Sequence, residues 1–199
     1  MSGPPLILAS QSPRRAQLLD MLGLRYTVEP ADIDETYGPG EEPGAHAERL
    51  AREKAEVVAR RRPDALVVGF DTVVVVDGDV LGKPAGVDDA VRMVLRLQGR
   101  EHLVATGVAV AQGAAVRSAV ERVRVHFRAF DEATARDYVA TGEPLDKAGG
   151  YGIQGYGATL VDRIEGDYFA VMGMPIARLM QLLEDMGWRY DFRGLRPLA

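Results

Sequence analysis

Asp71 stands inside Ala65–Pro84, ALVVGFDTVVVVDGDVLGKP, where Val67, Val68, Val73, Val74, Val75 and Val76 make a near-continuous apolar run. Such β-branched density marks a strand buried on both faces. A carboxylate there is costly unless it meets a cation or opens onto a polar cleft. Asp77-Gly78-Asp79 then signals a hairpin turn, and the return segment Gly82-Lys83-Pro84 brings Lys83 back toward the level of Asp71. An acid and a lysine on a rigid hairpin suit chemistry on an anionic substrate; they equally suit a structural buried ion pair.

Three further groups of residues could serve such chemistry. Leu6-Ile7-Leu8-Ala9 reads as a short buried strand leading into Ser10-Gln11-Ser12-Pro13-Arg14-Arg15. Ser12 is a suitable N-cap and Pro13 suits the first helical position. Arg14 and Arg15 fall where the helix dipole is already positive, a placement costing roughly 0.3–1 kcal/mol each. Free N–H groups, two serine hydroxyls and two guanidiniums make a site that favours an anion, phosphate above all. Lys54 lies on the apolar stripe of a helix expected over 44–62, four residues after Leu50 and four before Val58. It either snorkels to solvent or points its ammonium toward Asp71. Asp32, Asp34 and Glu35, in an acidic Gly/Pro-rich loop, offer oxygens of the kind a divalent cation takes, although most such clusters are solvated surface.

The elements that must position these residues follow from periodicity. Leu18, Leu19 and Leu22 stripe the first helix, which Gly23 closes. Glu48/Arg52 and Glu56/Arg60 are i,i+4 pairs outside the apolar face of the second helix. Asp88 or Asp89 caps a third helix that stops at Gly99; strands are expected over 103–110 and 116–127, a helix over 131–141, a strand over 158–164, and a last helix from Pro175 to Gly187. His102 carries no assigned role. The tail from Trp188 to Ala199 reads as a loosely packed extension.

Between the fourth helix and the next strand lie five glycines in nine residues, Gly149 to Gly157. Gly150, Gly152 and Gly155 match G-x-G-x-x-G in letters, but no apolar strand precedes them and no amphipathic helix opens on the third. GDVLGKPA fails equally as a P-loop, since Asp77 replaces the first glycine and Pro84 the serine or threonine. The remaining readings are a loop aiming Asp146, Lys147 and Gln154 at a ligand, or a structural glycine corner.

With 47% apolar content the chain buries a substantial core, as one domain or as two lobes sharing a sheet. The net charge of −5 argues against nucleic-acid or anionic-membrane binding. Any phosphate must therefore be held by local cations. The absence of cysteine excludes thiolate chemistry and disulfides. No apolar run reaches membrane-spanning length and the N-terminus lacks the features of a signal peptide, so the cytoplasm is expected.

LASQSPRR, DIDE, AREKA around Lys54, DTVV with GKP, and DKAGGYGIQG occur in that order, and with them the sequence resembles the Maf-like nucleoside triphosphate pyrophosphatases over nearly its whole length. The resemblance implies a single domain over residues 1–199, an α/β fold with a mixed, strongly twisted sheet flanked by helices, and two lobes around a long cleft. It implies hydrolysis of a nucleoside triphosphate to the monophosphate and pyrophosphate, a magnesium or manganese ion, a cytoplasmic location and a possible homodimer. Asp71 would be the base that activates water, alone or through the metal that Glu35 helps to hold. Arg15, Lys54 and Lys83 would neutralise charge on the phosphates, with Ser10, Ser12 and Lys147 also contacting substrate.

Three positions speak to the base. A branch acting on 7-methyl-GTP resembles SPWR, DQV and a glutamate where this chain has Gln154; Arg14, Thr72 and Gln154 resemble the dTTP/UTP branch instead. An aromatic residue can stack on the cationic methylated ring, which Arg14 would repel. Gln154 offers one donor and one acceptor to the O4 and N3–H edge of uracil or thymine. Phe70 and Gly150 stand where alanine is more usual. The rival expectations are a nucleotide-binding regulator of septum formation without essential turnover, and a housekeeping enzyme for non-standard purine triphosphates such as ITP.

Overall fold

A computed structural model describes residues 3–198, and the chain forms two compact units. The first comprises residues 1–71, 106–121 and 173–199; the second comprises 72–105 and 122–172. Seven strands make one mixed sheet in the order β2-β1-β3-β5-β6-β7, with β4 paired to β3. The chain passes between units inside three long strands, β3 (Leu66–Val76), β5 (Glu101–Gln112) and β6 (Ala115–Phe127). No helix among the described residues is long and apolar enough to cross a membrane.

In the first unit, β1 (Leu6–Leu8) lies parallel to both β2 (Thr27–Val28) and β3. Helix α1 (Pro13–Met21) leaves β1 and ends in a Schellman closure: Gly23, at φ +67°, donates to Asp20 O, and Leu24 donates to Leu19 O. Ser12 occupies the N-cap position with extended backbone, but its side chain makes no cap hydrogen bond. The core is formed where α2 (Pro43–Arg61) lays Ala51, Ala55, Val58 and Ala59 over Ile7, Val67 and Ala109. Two strand glycines permit this. A Cβ at Gly69 would stand 2.3 Å from Ala51 O, and one at Gly107 would stand 2.1 Å from Ala47 O, so the helix backbone rests directly on the strands. Of the expected pairs on α2, Glu56 is held by Arg52 and Arg60, whereas Glu48 accepts a hydrogen bond from Ser118 instead.

Of the extension expected over 188–199, the described residues, 188–198, are not loose. Trp188–Tyr190 and Leu195–Pro197 pair as an antiparallel hairpin. It is tied down by the Trp188 indole on Gln112 (3.0 Å) and the Tyr190 hydroxyl on Leu22 O (2.5 Å). The aromatic residues that make this possible were legible; their partners, over a hundred residues away for Tyr190, were not.

In the second unit β3 turns at Asp77 (φ +52°) and Gly78 (φ +82°) into β4 (Asp79–Leu81), the left-handed pair of a type I′ turn. Helix α3 (Val87–Leu97) takes Gly86 as its N-cap, not Asp88 or Asp89, which fall in its first turn; Asp89 accepts from the Ala85 N–H. Helix α4 (Glu132–Ala140) is capped by the Asp131 carboxylate on the Thr134 N–H. These helices pack on Val74, Val123, Val125 and Phe127. β7 (Val161–Glu165) begins later than its apolar pattern suggests, because 3₁₀ turns occupy Glu143–Asp146, Ala148–Gly150 and Tyr156–Leu160. A short helix, α5 (Tyr168–Val171), precedes α6 (Ile176–Asp185) of the first unit.

Candidate active site

The close packing of α2 on β3 determines what Asp71 meets. Side chains alternate along a strand, so Asp71 shares the face of Gly69, on which Ala51 and Ala55 rest. Lys54 belongs to the same helix stripe, and its ammonium lies 2.7 Å from Asp71 Oδ1. It also lies 2.7 Å from Glu35 Oε1. Lys54 therefore does not snorkel: its side chain is only 11% exposed, as Asp71 is only 14%, while Glu35 is 59% exposed.

Arg15 is built in from α1. Its Nη1 donates to Ser10 Oγ at 2.8 Å, its Nε donates to Gly173 O at 2.9 Å, and its guanidinium stands 5.5 Å from the Phe70 ring centre. Ser10 Oγ also accepts the Ser12 N–H at 3.2 Å, so the serine that ties down the helix entry is Ser10. Burial pulls the Arg15 guanidinium down to about 10, with the Asp71 carboxylate pulling upward, Arg14 downward and Glu35 upward. It stays charged at neutral pH, and these neighbours lie within electrostatic reach of one another.

The loop carrying Glu35 has its own anchor. Glu41 accepts from the Gly38 N–H, from Arg49 through both carboxylate oxygens, and contacts His46 Nδ1 at 2.9 Å. Those bonds, Arg49 first, hold its carboxyl well below the usual range. Tyr37 stacks on the buried His46 ring, centroids 3.4 Å apart. Asp32 and Asp34 are both exposed, Asp34 accepting from the Thr36 N–H and hydroxyl, whereas Glu35 reaches Lys54.

The second unit holds Thr72, Lys83, Lys147 and Gln154. The hairpin ladder pairs Val74 with Leu81 and ends there, two residues before the exposed Lys83. Gly82 O accepts the Gly149 N–H at 3.0 Å, which fastens the glycine segment to the hairpin. Gly149 has φ +72°, and a Cβ there would stand 2.9 Å from Val74 Cγ1. Lys147 is folded back onto Glu143 O and Asp146, each at 2.6 Å, and Gln154 is exposed. Glu143, Tyr138 and Gly69 were not singled out from sequence. A lone glycine in a valine-rich strand was the available signal for the last.

Glu35 and Asp71 fit a hard divalent cation: two carboxylate oxygens converge on one point, which the Lys54 ammonium fills. Glu101, His126 and Glu165 also place their ligand atoms within 4.8 Å of one another. Arg124 already contacts both glutamates, however, and Arg163 contacts Glu165, so an ion-pair cluster accounts for them.

A family profile described as "Maf-like protein" matches residues 5–186. The chain belongs to the Maf-like family. It is 48% identical over 182 residues to a protein of Syntrophomonas wolfei named dTTP/UTP pyrophosphatase, covering 90% of this chain and 96% of that one. Proteins of the same name from Desulfotalea psychrophila and Moorella thermoacetica are 50% and 51% identical, covering 90% and 92% of this chain and 93% and 95% of theirs. The family match stops before the C-terminal hairpin.

Proposed function

We propose that this Maf-like protein is a nucleoside triphosphate pyrophosphatase acting on dTTP and UTP. Water attacks the α-phosphorus, the bond to the oxygen bridging the α- and β-phosphorus breaks, and the nucleoside monophosphate and pyrophosphate leave. The observation that carries the chemistry is the pair of carboxylates, Asp71 and Glu35, held on the Lys54 ammonium beside Arg15. The names of relatives sharing about half their residues with this chain support the substrate.

Asp71 takes the proton of the attacking water. Arg15, Lys54 and Lys83 offset the charge that develops on phosphate oxygens, where most of the catalysis of phosphoryl transfer resides. Ser10 and Ser12 at the start of α1, with Lys147, bind the phosphate chain. Arg14, Thr72 and Gln154 select the base. Glu35 and Asp71 would hold the divalent cation, magnesium or manganese, which when bound would supply positive charge to the phosphates and lower the pKa of water. Residues 1–199 make a single Maf-like pyrophosphatase domain in this reading.

Purified protein incubated with a panel of nucleoside triphosphates and either metal, with pyrophosphate measured, tests this reading. Fastest release from dTTP and UTP is expected. Turnover of 7-methyl-GTP with none of UTP would overturn the choice of substrate, and preferred turnover of ITP would replace it with the purine-housekeeping alternative.

A further inference from the structure

The glycines between Gly149 and Gly157 make room for a carboxylate of their own chain. Glu143 Oε1 accepts from the Tyr138 hydroxyl at 2.8 Å and the Gly157 N–H at 3.0 Å, while Oε2 accepts from the Tyr156 N–H at 2.8 Å. The Tyr138 oxygen in turn accepts the Gly152 N–H at 3.0 Å. A Cβ at Gly155 would stand 1.9 Å from Glu143 Oε2, one at Gly152 3.2 Å from Oε1, and one at Gly157 2.7 Å from the Tyr138 oxygen. A backbone nest of this kind receives a phosphate in other proteins; here Glu143 fills it.

Burial, and after it the neighbouring Glu143, pushes the Tyr138 phenol up, so it remains a donor to that carboxylate. Gln154 lies between two anchored stretches. Gly152 is held on one side through Tyr138, and Tyr156 and Gly157 are held on the other.

We infer that Glu143 is the positioning residue that fixes the Gln154 segment, so that discrimination between bases depends on a half-buried carboxylate hydrogen-bonded within the loop. This rests on the assignment of Gln154 to base recognition. Glutamine can pair with uracil and not with cytosine, whose donor and acceptor are reversed, only if its amide is held in one orientation. Glu143→Gln keeps the shape of the anchor but turns an amide NH₂ toward groups that are themselves donors.

The test is steady-state pyrophosphate release from UTP and from CTP by wild type, Glu143→Gln, Tyr138→Phe and Gln154→Ala. Glu143→Gln is expected to lower the UTP-to-CTP ratio of kcat/KM by about tenfold, mainly through a higher KM for UTP, and Tyr138→Phe by less in the same direction. A merely structural anchor would lower both activities in proportion; an unchanged ratio in Glu143→Gln with a fallen ratio in Gln154→Ala overturns this inference alone. A ratio unmoved by Gln154→Ala as well overturns the base-reading assignment and this inference with it. Should Glu143→Gln fail to fold, Tyr138→Phe decides by the same ratio.

Discussion

The ammonium of Lys54 lies 2.7 Å from Asp71 Oδ1 and the same distance from Glu35 Oε1, so one cation from α2 joins a nearly buried acid to an exposed one. The two ion pairs differ in what their loss costs. Removing one partner of a buried pair leaves an uncompensated charge, about 3–5 kcal/mol, whereas an exposed pair contributes about 0–1 kcal/mol.

Lys54→Met should therefore lower the free energy of unfolding by about 3 kcal/mol, and Glu35→Gln by less than about 1 kcal/mol. Urea unfolding at neutral pH measures both. Equal losses would mean that Asp71 is better solvated than its 14% exposure indicates.

Gly69→Ala tests the packing that brings Lys54 to Asp71. The added Cβ would stand 2.3 Å from Ala51 O and 2.9 Å from Ala55 N, and backbone cannot yield as a side-chain tip can. The helix must lift, at about 1–3 kcal/mol or more, and turnover should fall with it. Wild-type stability and turnover in this variant would contradict the close approach of α2 to β3.

A third expectation concerns pH. His102 is buried, with Nε2 2.8 Å from the Tyr151 hydroxyl and its ring edge-on to Phe127 and Tyr151. Burial, then His126, lowers its pKa from 6.5 to about 4. Across that interval the unfolded chain binds the proton that the folded one refuses, so stability rises with pH. The contribution is complete above about pH 6.5 and is lost progressively toward pH 4, by about 3 kcal/mol in all. The carboxyls of Glu41 and Glu165, held low by Arg49 and Arg124, add their own loss as pH falls through about 4.5, so the difference between wild type and His102→Gln reports the histidine. Urea midpoints between pH 4.5 and 7 should fall with acidity in wild type and fall less in His102→Gln; parallel slopes would contradict it.

What the sequence made legible were residues whose types conflict with their surroundings. A carboxylate amid valines and a lysine on an apolar stripe each raised the question of a partner, and Lys54 and Asp71 meet one another, whereas Arg15, for which an anion was expected, donates to Ser10 Oγ and Gly173 O. The I′ turn at Asp77-Gly78 was legible because only a few residues accept its backbone. Ser12 was misread as a side-chain cap because its position suits one, whereas Ser10 makes the bonds. Glu143 looked like any loop acid, since glycines declare that space is needed without saying what fills it. The C-terminal hairpin depends on Leu22 and Gln112, contacts that no local pattern encodes.

The central claim is that Asp71 takes the proton of the attacking water. Asp71→Asn keeps the side chain's shape and removes its basicity. Its kcat for pyrophosphate release from dTTP should fall by about a thousandfold, while calorimetry with a non-hydrolysable α,β-linked analogue shows affinity within about tenfold of wild type. Turnover within tenfold of wild type would contradict the account.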